Sequence, residues 1–132
     1  MIEARARWIL GDRYSGDADS GHGIVMDAGL EKAANSPMEL VLIALCGCTA
    51  SDVVGILRKK REPFTSLEVR ASGERTETFP KVYTLIRLTY RVEGKVTHKA
   101  MEDAVRLSKE KYCSVSAMLQ KSAKLEVTIE YA

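Results

Sequence analysis

The chain has 132 residues, 45% of them hydrophobic, and its 20 basic and 18 acidic side chains are interspersed, leaving a net charge of +2. This composition predicts one folded globular domain and argues against a disordered or nucleic-acid-binding protein. Charged side chains in the first ten residues interrupt any signal-peptide core, and three cysteines do not make a disulfide framework. We therefore expect reduced thiols and a cytoplasmic location.

The N-terminal residues predict strands within residues 4–27. Residues 4–10 alternate charged and apolar side chains, which is the pattern of a half-buried strand. Residues 11–23 are rich in Gly, Asp and Ser, and predict a turn-rich connection with a short strand around Tyr14. A brief apolar run at residues 23–27 predicts a further strand.

A long central helix is predicted over residues 36–61, SPMELVLIALCGCTASDVVGILRKKR. Ser36 and Glu39 form a capping-box pattern at its start, while a basic run and Pro63 mark its end. The helix is apolar or small on almost every face, so it must be buried in a core or in a subunit interface. Glu39 and Asp52 argue against a membrane span.

Small side chains follow one stripe of this helix: Ala44, Cys48, Ser51 and Gly55. Such a stripe lets a second helix approach closely, with Cys48 inside the contact. Cys46 lies roughly 200° around the helix at about 100° per residue, so it points elsewhere and is interpreted as packing. A single sheet covers only one side of a helix, so we expect a second copy of the chain to cover the other in a two-fold dimer.

The rest of the chain predicts a β hairpin over residues 66–93, helices over residues 97–121 that Cys113 interrupts, and a C-terminal strand over residues 124–131. Helices on one face of a mainly antiparallel sheet make an α+β fold. No linker or repeat divides residues 1–132, so a single domain is expected.

Two cysteines occupy special positions. Cys48 lies inside the expected helix contact, and Cys113 lies where a second helix begins, a place predicted to lower a thiol's pKa. If the two thiols meet, one can be oxidised to a sulfenic acid that the other converts into a disulfide. The alternative is that both are small buried packing residues.

Metal and nucleotide cofactors have no motif in the sequence. Cys46-x-Cys48 lacks the spacing of a zinc knuckle, and the histidines are His22, in a Ser-Gly-His-Gly loop, and His98, near a helix start. His22 is interpreted as a polar loop residue or a pocket residue, and His98 as solvated. No Gly-rich phosphate-binding loop occurs. We expect neither a metal nor another cofactor.

The central stretch 36–61, followed by KYCSVSAML around Cys113, resembles the OsmC/Ohr superfamily, within it the YhfA-like branch. The resemblance covers nearly the whole chain. It implies an OsmC-like fold, an antiparallel sheet packed with a long buried central helix, in an intertwined homodimer. It also implies a thiol peroxidase that reduces organic hydroperoxides in oxidative-stress defence, with active sites at the subunit interface.

The resemblance assigns Cys48 as the peroxidatic cysteine and Cys113 as the resolving one, joined in a disulfide that an external dithiol reduces. Ser114 stands where many relatives have proline. A binding module for a lipid or aromatic molecule, or a redox sensor, remains an alternative on the same fold.

The family also places an acidic residue and an arginine near the thiolate. Glu39 is the candidate acid, although the position that aligns without a shift holds Met38. Arg13 is the candidate arginine, with Arg5 and Arg7 as alternatives.

Apolar walls are expected to favour an organic over an inorganic peroxide. The expected wall residues are Met38, Val41, Leu45 and Met118.

Overall fold

The computed structural model describes all 132 residues, which divide into two compact units, Met1–Val41 and Leu42–Ala132. Three strands form a sheet in the first unit and three form a sheet in the second. The elements in chain order are β1 (Ala4–Leu10), β2 (Arg13–Ala18), β3 (Gly23–Asp27), α1 (Pro37–Lys59), β4 (Phe64–Arg75), β5 (Tyr83–Gly94), α2 (His98–Leu107), α3 (Ser114–Leu119) and β6 (Lys124–Tyr131).

The first unit is an antiparallel sheet in the order β1-β2-β3. Gly11, at φ 54°, makes the tight turn between β1 and β2, a conformation that glycine adopts without strain. All seven residues of β1 are exposed in the single chain, including Trp8 at 66%. This sheet therefore presents apolar side chains that the chain itself does not cover.

The second unit contains a mixed sheet in the order β4-β5-β6. β4 and β5 form the predicted antiparallel hairpin, in which Val69 pairs with Tyr90. β6 runs parallel to β5, while the other three strand pairs of the two sheets are antiparallel, in agreement with the mainly antiparallel prediction. The connection from β5 to β6 passes through α2 and α3, and a crossover of this kind returns the chain to the same end of the sheet.

Helix α1 begins as its capping box predicts. The Ser36 N–H donates to Glu39 Oε1 at 2.9 Å, and the Glu39 N–H donates to Ser36 Oγ at 3.2 Å. The helix ends at Lys59, two residues before the predicted end, because Arg61 takes a left-handed φ of 56° that α-helical backbone does not allow.

One face of α1 belongs to the core of the second unit. Its fully or nearly fully buried residues are Leu45, Thr49, Val53 and Leu57. β5 contributes the alternate residues Ile86, Leu88, Tyr90 and Val92, all at most 1% exposed. A hydrogen bond of 2.7 Å between Thr49 Oγ1 and Tyr90 Oη joins the two faces. β5, a strand of the predicted hairpin, therefore turns one face to the core.

The opposite face of α1 is exposed in the single chain. It carries Ile43, 51% exposed, and the small residues Ala44, Gly47, Ser51 and Gly55. Three of the four residues in the predicted stripe lie here, while Cys48 lies at the border and is partly buried. With 23 residues and a mean hydropathy of 2.2, the helix is long and apolar enough to cross a membrane. Core helices of soluble proteins can have the same length and hydropathy.

The C-terminal helical region is less regular than predicted. Thr97 caps α2 by accepting from the Ala100 N–H at 3.3 Å. Residues 108–112 then form a widened π-helical turn, closed by a 2.8 Å bond from the Cys113 N–H to the Ser108 carbonyl. Cys113 itself is extended and precedes α3.

Replacing Leu57, which is fully buried, with alanine should lower the free energy of unfolding by about 2–5 kcal/mol, because it leaves a cavity in the core. Urea denaturation followed by circular dichroism measures this change. The matched control is Leu30→Ala at a fully exposed leucine, which should change stability by less than about 0.5 kcal/mol. Equal losses in both variants would contradict the assignment of the core.

Candidate functional site

Two thiols meet in the second unit, one from α1 and one from the start of α3. Cys113 is 3% exposed and Cys48 is partly buried, and both are free thiols. The Cys48 thiol lies close enough to Cys113 to contribute to raising the pKa of the Cys113 thiol. The structure therefore brings together the two cysteines that the sequence analysis singled out.

Burial is the main cause of the raised pKa of Cys113, and the Cys48 thiol adds to it. The expected effect of the helix start is present, since the Ser116 N–H donates to Cys113 Sγ at 3.4 Å and favours the thiolate. Burial outweighs that hydrogen bond. The prediction of a lowered pKa at Cys113 is therefore wrong, and this thiol is protonated at neutral pH.

A series of hydrogen-bonded side chains runs beside the two thiols and was not foreseen from the sequence. Its three hydroxyls are buried, and its carboxylate is partly buried. Ser108 Oγ donates to Asp52 Oδ2 at 2.8 Å and contacts Thr49 Oγ1 at 2.7 Å. Because Ser108 uses its only proton on Asp52, Thr49 must donate to Ser108, and Tyr90 must donate to Thr49. Each of the three hydroxyls thereby has a partner in the core, and the series ends on the partly buried carboxylate of Asp52.

Tyr90 is the inner end of this chain and is fully buried. Burial raises the pKa of its hydroxyl to about 12, partly opposed by the bond with Thr49. Cys113, Cys46 and Asp52 raise the pKa of Tyr90 further. Burial also raises the pKa of Cys46, as expected of a packing residue.

Arg13 lies in the first unit and pairs with Asp27. Its Nε is 3.7 Å from Asp27 Oδ2. Asp27 is 4% exposed and accepts from the N–H groups of Gly29 at 2.8 Å and Ala33 at 3.0 Å. The Ala33 and Gly29 hydrogen bonds, followed by Arg13, lower the pKa of the Asp27 carboxyl. Asp27 thus fixes the loop that leads into α1 as well as the arginine.

The other candidate groups of the first unit also have local partners. Arg5 Nε is 2.8 Å from Asp17, and Arg7 Nη1 is 3.6 Å from the same carboxylate. Glu39 accepts from Ser36, whose N–H is the main cause of the lowered pKa of the Glu39 carboxyl. Sequence reasoning foresaw the cap but not the carboxylates that hold the arginines.

The expected apolar walls are only partly available. Leu45 is fully buried in the core and offers no surface to a ligand, whereas Met118 is 64% exposed. An open groove of about 580 Å³ lies instead beside Asp52, at the outer face of α1. It is lined by Gly55, Ile56, Lys59, Lys60, Leu107 and Tyr112.

Both histidines have local contacts. His22 is exposed, with Nδ1 3.1 Å from Ser20 Oγ, and His98 is exposed and stacks on the Tyr131 ring with a centroid distance of 3.8 Å. No group of three or more His, Cys, Asp or Glu side chains is arranged to hold a metal ion.

Comparison with known proteins identifies the family to which this architecture belongs. A family model described as OsmC-like protein matches residues 29–128. The chain belongs to the OsmC-like family. The resemblance found in the two cysteine motifs is thus confirmed. OsmC-like proteins are soluble, which agrees with α1 as a core helix rather than a membrane span.

Individual relatives cover nearly the whole chain. Protein YhfA of Escherichia coli (strain K12) is 42% identical over 130 residues, 98% of this chain and 97% of that protein. A hypothetical protein from Aquifex aeolicus VF5 superposes with a TM-score of 0.91 at 34% identity, covering 100% of this chain and 96% of that one. An organic hydroperoxide resistance protein from Elizabethkingia anophelis has the same fold, with a TM-score of 0.76, 14% identity and coverage of 100% and 96%.

Replacing Asp27 with asparagine should destabilise the protein most at neutral pH. The folded-state pKa of Asp27 is lowered, so its ionised form stabilises the fold above its unfolded pKa and that contribution is lost as pH falls through the folded value. Unfolding curves at pH 7 and in acid measure the difference between variant and wild type. A difference that widens towards acid would contradict this assignment.

The Cys113 thiol should react with iodoacetamide only at unusually high pH. Its raised pKa keeps the thiolate scarce until the solution is more alkaline than an ordinary cysteine requires. Cys46→Ser/Cys48→Ser leaves this single thiol for a pH–rate profile. The same variant unfolded in guanidinium chloride is the control and should show an ordinary thiol midpoint. Coincident profiles would contradict the effect of burial.

Proposed function

We propose that this protein is a cysteine-based thiol peroxidase that reduces organic hydroperoxides in oxidative-stress defence in the cytoplasm. The observation that carries the proposal is the meeting of Cys48 and Cys113, 65 positions apart in the sequence, in an OsmC-like fold. The organic hydroperoxide resistance proteins that share this fold support the substrate class. The proposal involves no cofactor, metal, nucleic acid or membrane.

The chemistry uses the two sulfurs in order. Cys48 attacks the distal oxygen of the hydroperoxide, the O–O bond breaks, and Cys48 becomes a sulfenic acid while an alcohol leaves. Cys113 then attacks the Cys48 sulfur, the sulfenic oxygen leaves as water with the Cys113 proton, and a disulfide forms. An external dithiol reduces the disulfide and regenerates both thiols. The raised pKa keeps Cys113 protonated, which leaves the peroxide to Cys48, and Cys113 gives up its proton as it attacks the Cys48 sulfenic sulfur.

Arg13 is the proposed cation that favours the Cys48 thiolate, with Glu39 as the acid that orients it. Arg13 is half-exposed, with its Nε 3.7 Å from Asp27 Oδ2. Asp27 also accepts two backbone N–H groups, so this carboxylate would keep partners if the guanidinium turned to the thiolate. Glu39 already has a role as a cap, so its part in catalysis would be a second one.

A homodimer is part of the proposal. The outer face of α1 and the whole of β1 leave apolar side chains exposed in one chain, among them Ile43, Trp8 and Leu10. A second copy would bury these surfaces, and isologous pairing is the commonest way in which soluble chains do so. Sedimentation should then give twice the mass of the single chain.

A second candidate is a binding module for a small amphipathic molecule. The open groove beside α1 favours it, because Ile56 and Leu107 offer apolar surface while Lys59 and Lys60 place positive charge at the rim. A binder would retain its ligand in Cys48→Ser, whereas a peroxidase would lose turnover.

Consumption of cumene hydroperoxide with dithiothreitol as reductant tests the peroxidase directly. Wild type should complete many turnovers, and Cys48→Ser should fall to the rate without protein, because the proposal assigns attack on the peroxide to Cys48 alone. Cys113→Ser should accumulate Cys48 sulfenic acid and lose the intramolecular disulfide.

The matched control is Cys46→Ser, which removes a cysteine from the same helix and should retain turnover. Wild type that consumes no more peroxide than Cys48→Ser would overturn the proposed activity. A single oxidation without further turnover in excess dithiol would indicate a redox sensor instead.

A further inference from the structure

Ser108 connects the two segments that carry the reactive thiols. Its side chain bonds twice to α1, to Thr49 at 2.7 Å and to Asp52 at 2.8 Å, and these residues follow Cys48 by one and four positions. Its main-chain carbonyl accepts the Cys113 N–H at 2.8 Å. One fully buried residue therefore holds the helix of Cys48 on one side and the backbone of Cys113 on the other.

The connection is rigid because its proton pattern is fixed. Ser108 has one proton, which goes to Asp52, and its lone pair receives the Thr49 proton. Thr49 in turn receives the Tyr90 proton, so no hydroxyl in the chain is free to rotate without breaking a buried bond. Such a network stabilises one arrangement of the segments over others.

The backbone around Ser108 is also unusual. The bond from Cys113 to the Ser108 carbonyl spans five residues and closes the π-helical turn, after which Cys113 is extended. An ordinary α-helical bond would rotate the following residue by about 100° relative to this arrangement. Single π-helical turns are frequent at functional sites.

We propose that Ser108, held by Asp52 and Thr49, is a positioning residue that sets Cys113 Sγ within bonding reach of Cys48 for disulfide formation. This proposal deepens the proposed function, which supplies the oxidised Cys48. The step it governs is attack of Cys113 sulfur on the Cys48 sulfenic sulfur, in which an S–S bond forms, the S–O bond breaks and water leaves with the Cys113 proton. Ser108 does not touch the peroxide, so oxidation of Cys48 should not depend on it.

Four single variants separate positioning from general stability. Ser108→Ala removes both bonds to α1, and Asp52→Ala removes the acceptor of the Ser108 proton. Asp52→Asn keeps an oxygen acceptor without the charge, and is the conservative rescue. Tyr90→Phe removes a buried hydroxyl at the far end of the chain and leaves both Ser108 bonds in place, so it is the matched control for loss of a core hydrogen bond.

The measurement follows one equivalent of cumene hydroperoxide, with the Cys48 sulfenic acid trapped by dimedone and the disulfide counted by mass spectrometry. Ser108→Ala and Asp52→Ala should form the disulfide about tenfold more slowly, with a matching rise in the dimedone adduct, because each loses a buried hydrogen bond that orders the pair. Asp52→Asn and Tyr90→Phe should stay within about twofold of wild type. The rate of Cys48 oxidation should be equal in all five proteins.

Wild-type disulfide rates in Ser108→Ala and Asp52→Ala would overturn the positioning role. So would equal slowing in Tyr90→Phe, since that would indicate loss of stability alone. If Ser108→Ala does not fold, the comparison of Asp52→Ala with Asp52→Asn decides the matter.

Diamide, which oxidises dithiols without a peroxide, distinguishes failure of this proposal from failure of the proposed function. Suppose that wild type shows no peroxide turnover but forms the Cys48–Cys113 disulfide with diamide, and that Ser108→Ala forms this disulfide tenfold more slowly. The peroxidase proposal is then wrong, and the positioning role of Ser108 is supported. If wild type turns over peroxide and both variants form the disulfide at its rate, the positioning role falls alone.

Discussion

The packing of α1 against β5 is the constraint on which the second unit depends. Leu45, Val53 and Leu57 leave no accessible surface, and a hydrogen bond of 2.7 Å joins Tyr90 of the strand to Thr49 of the helix. Since α1 has 3.6 residues per turn, burying this face also decides which way Cys48 points. It comes to lie at the border between the core and the exposed face, where one side of the thiol can meet Cys113.

The interface between α1 and β5 contains buried hydroxyl groups, which a purely apolar core would not contain. Burying a hydroxyl without a partner costs about 1–3 kcal/mol, so a core of three hydroxyls is tolerated only when every one is bonded. Here Tyr90, Thr49 and Ser108 satisfy one another in series and end on a partly buried carboxylate, Asp52. A series of this kind has one direction and one geometry, which apolar contacts of similar volume do not impose.

Local signals predicted local structure well. The start of α1 follows from Ser36 and Glu39, which lie three residues apart, and the alternation along β5 follows from neighbours on one strand. The parallel pairing of β6 depends on the path of the whole crossover, which no short pattern encodes. The chain from Tyr90 to Asp52 joins positions 49, 52, 90 and 108, and each residue is unremarkable in its own segment. The direction of the pKa shift of Cys113 was predicted wrongly, because a helix start is visible in the sequence whereas the extent of burial is not.

The π-helical turn at residues 108–112 has a consequence for how this protein can change over evolutionary time. Such a turn contains one residue more than an α-helical turn and lies between α2 and α3. Substitutions among its exposed side chains leave the backbone path intact. Loss of a single codon would instead swing the backbone that carries Cys113 away from its partner. The spacing of the two thiols is therefore more sensitive to chain length than to side-chain identity in this segment, and a relative with a shortened turn would keep both cysteines and lose their meeting point.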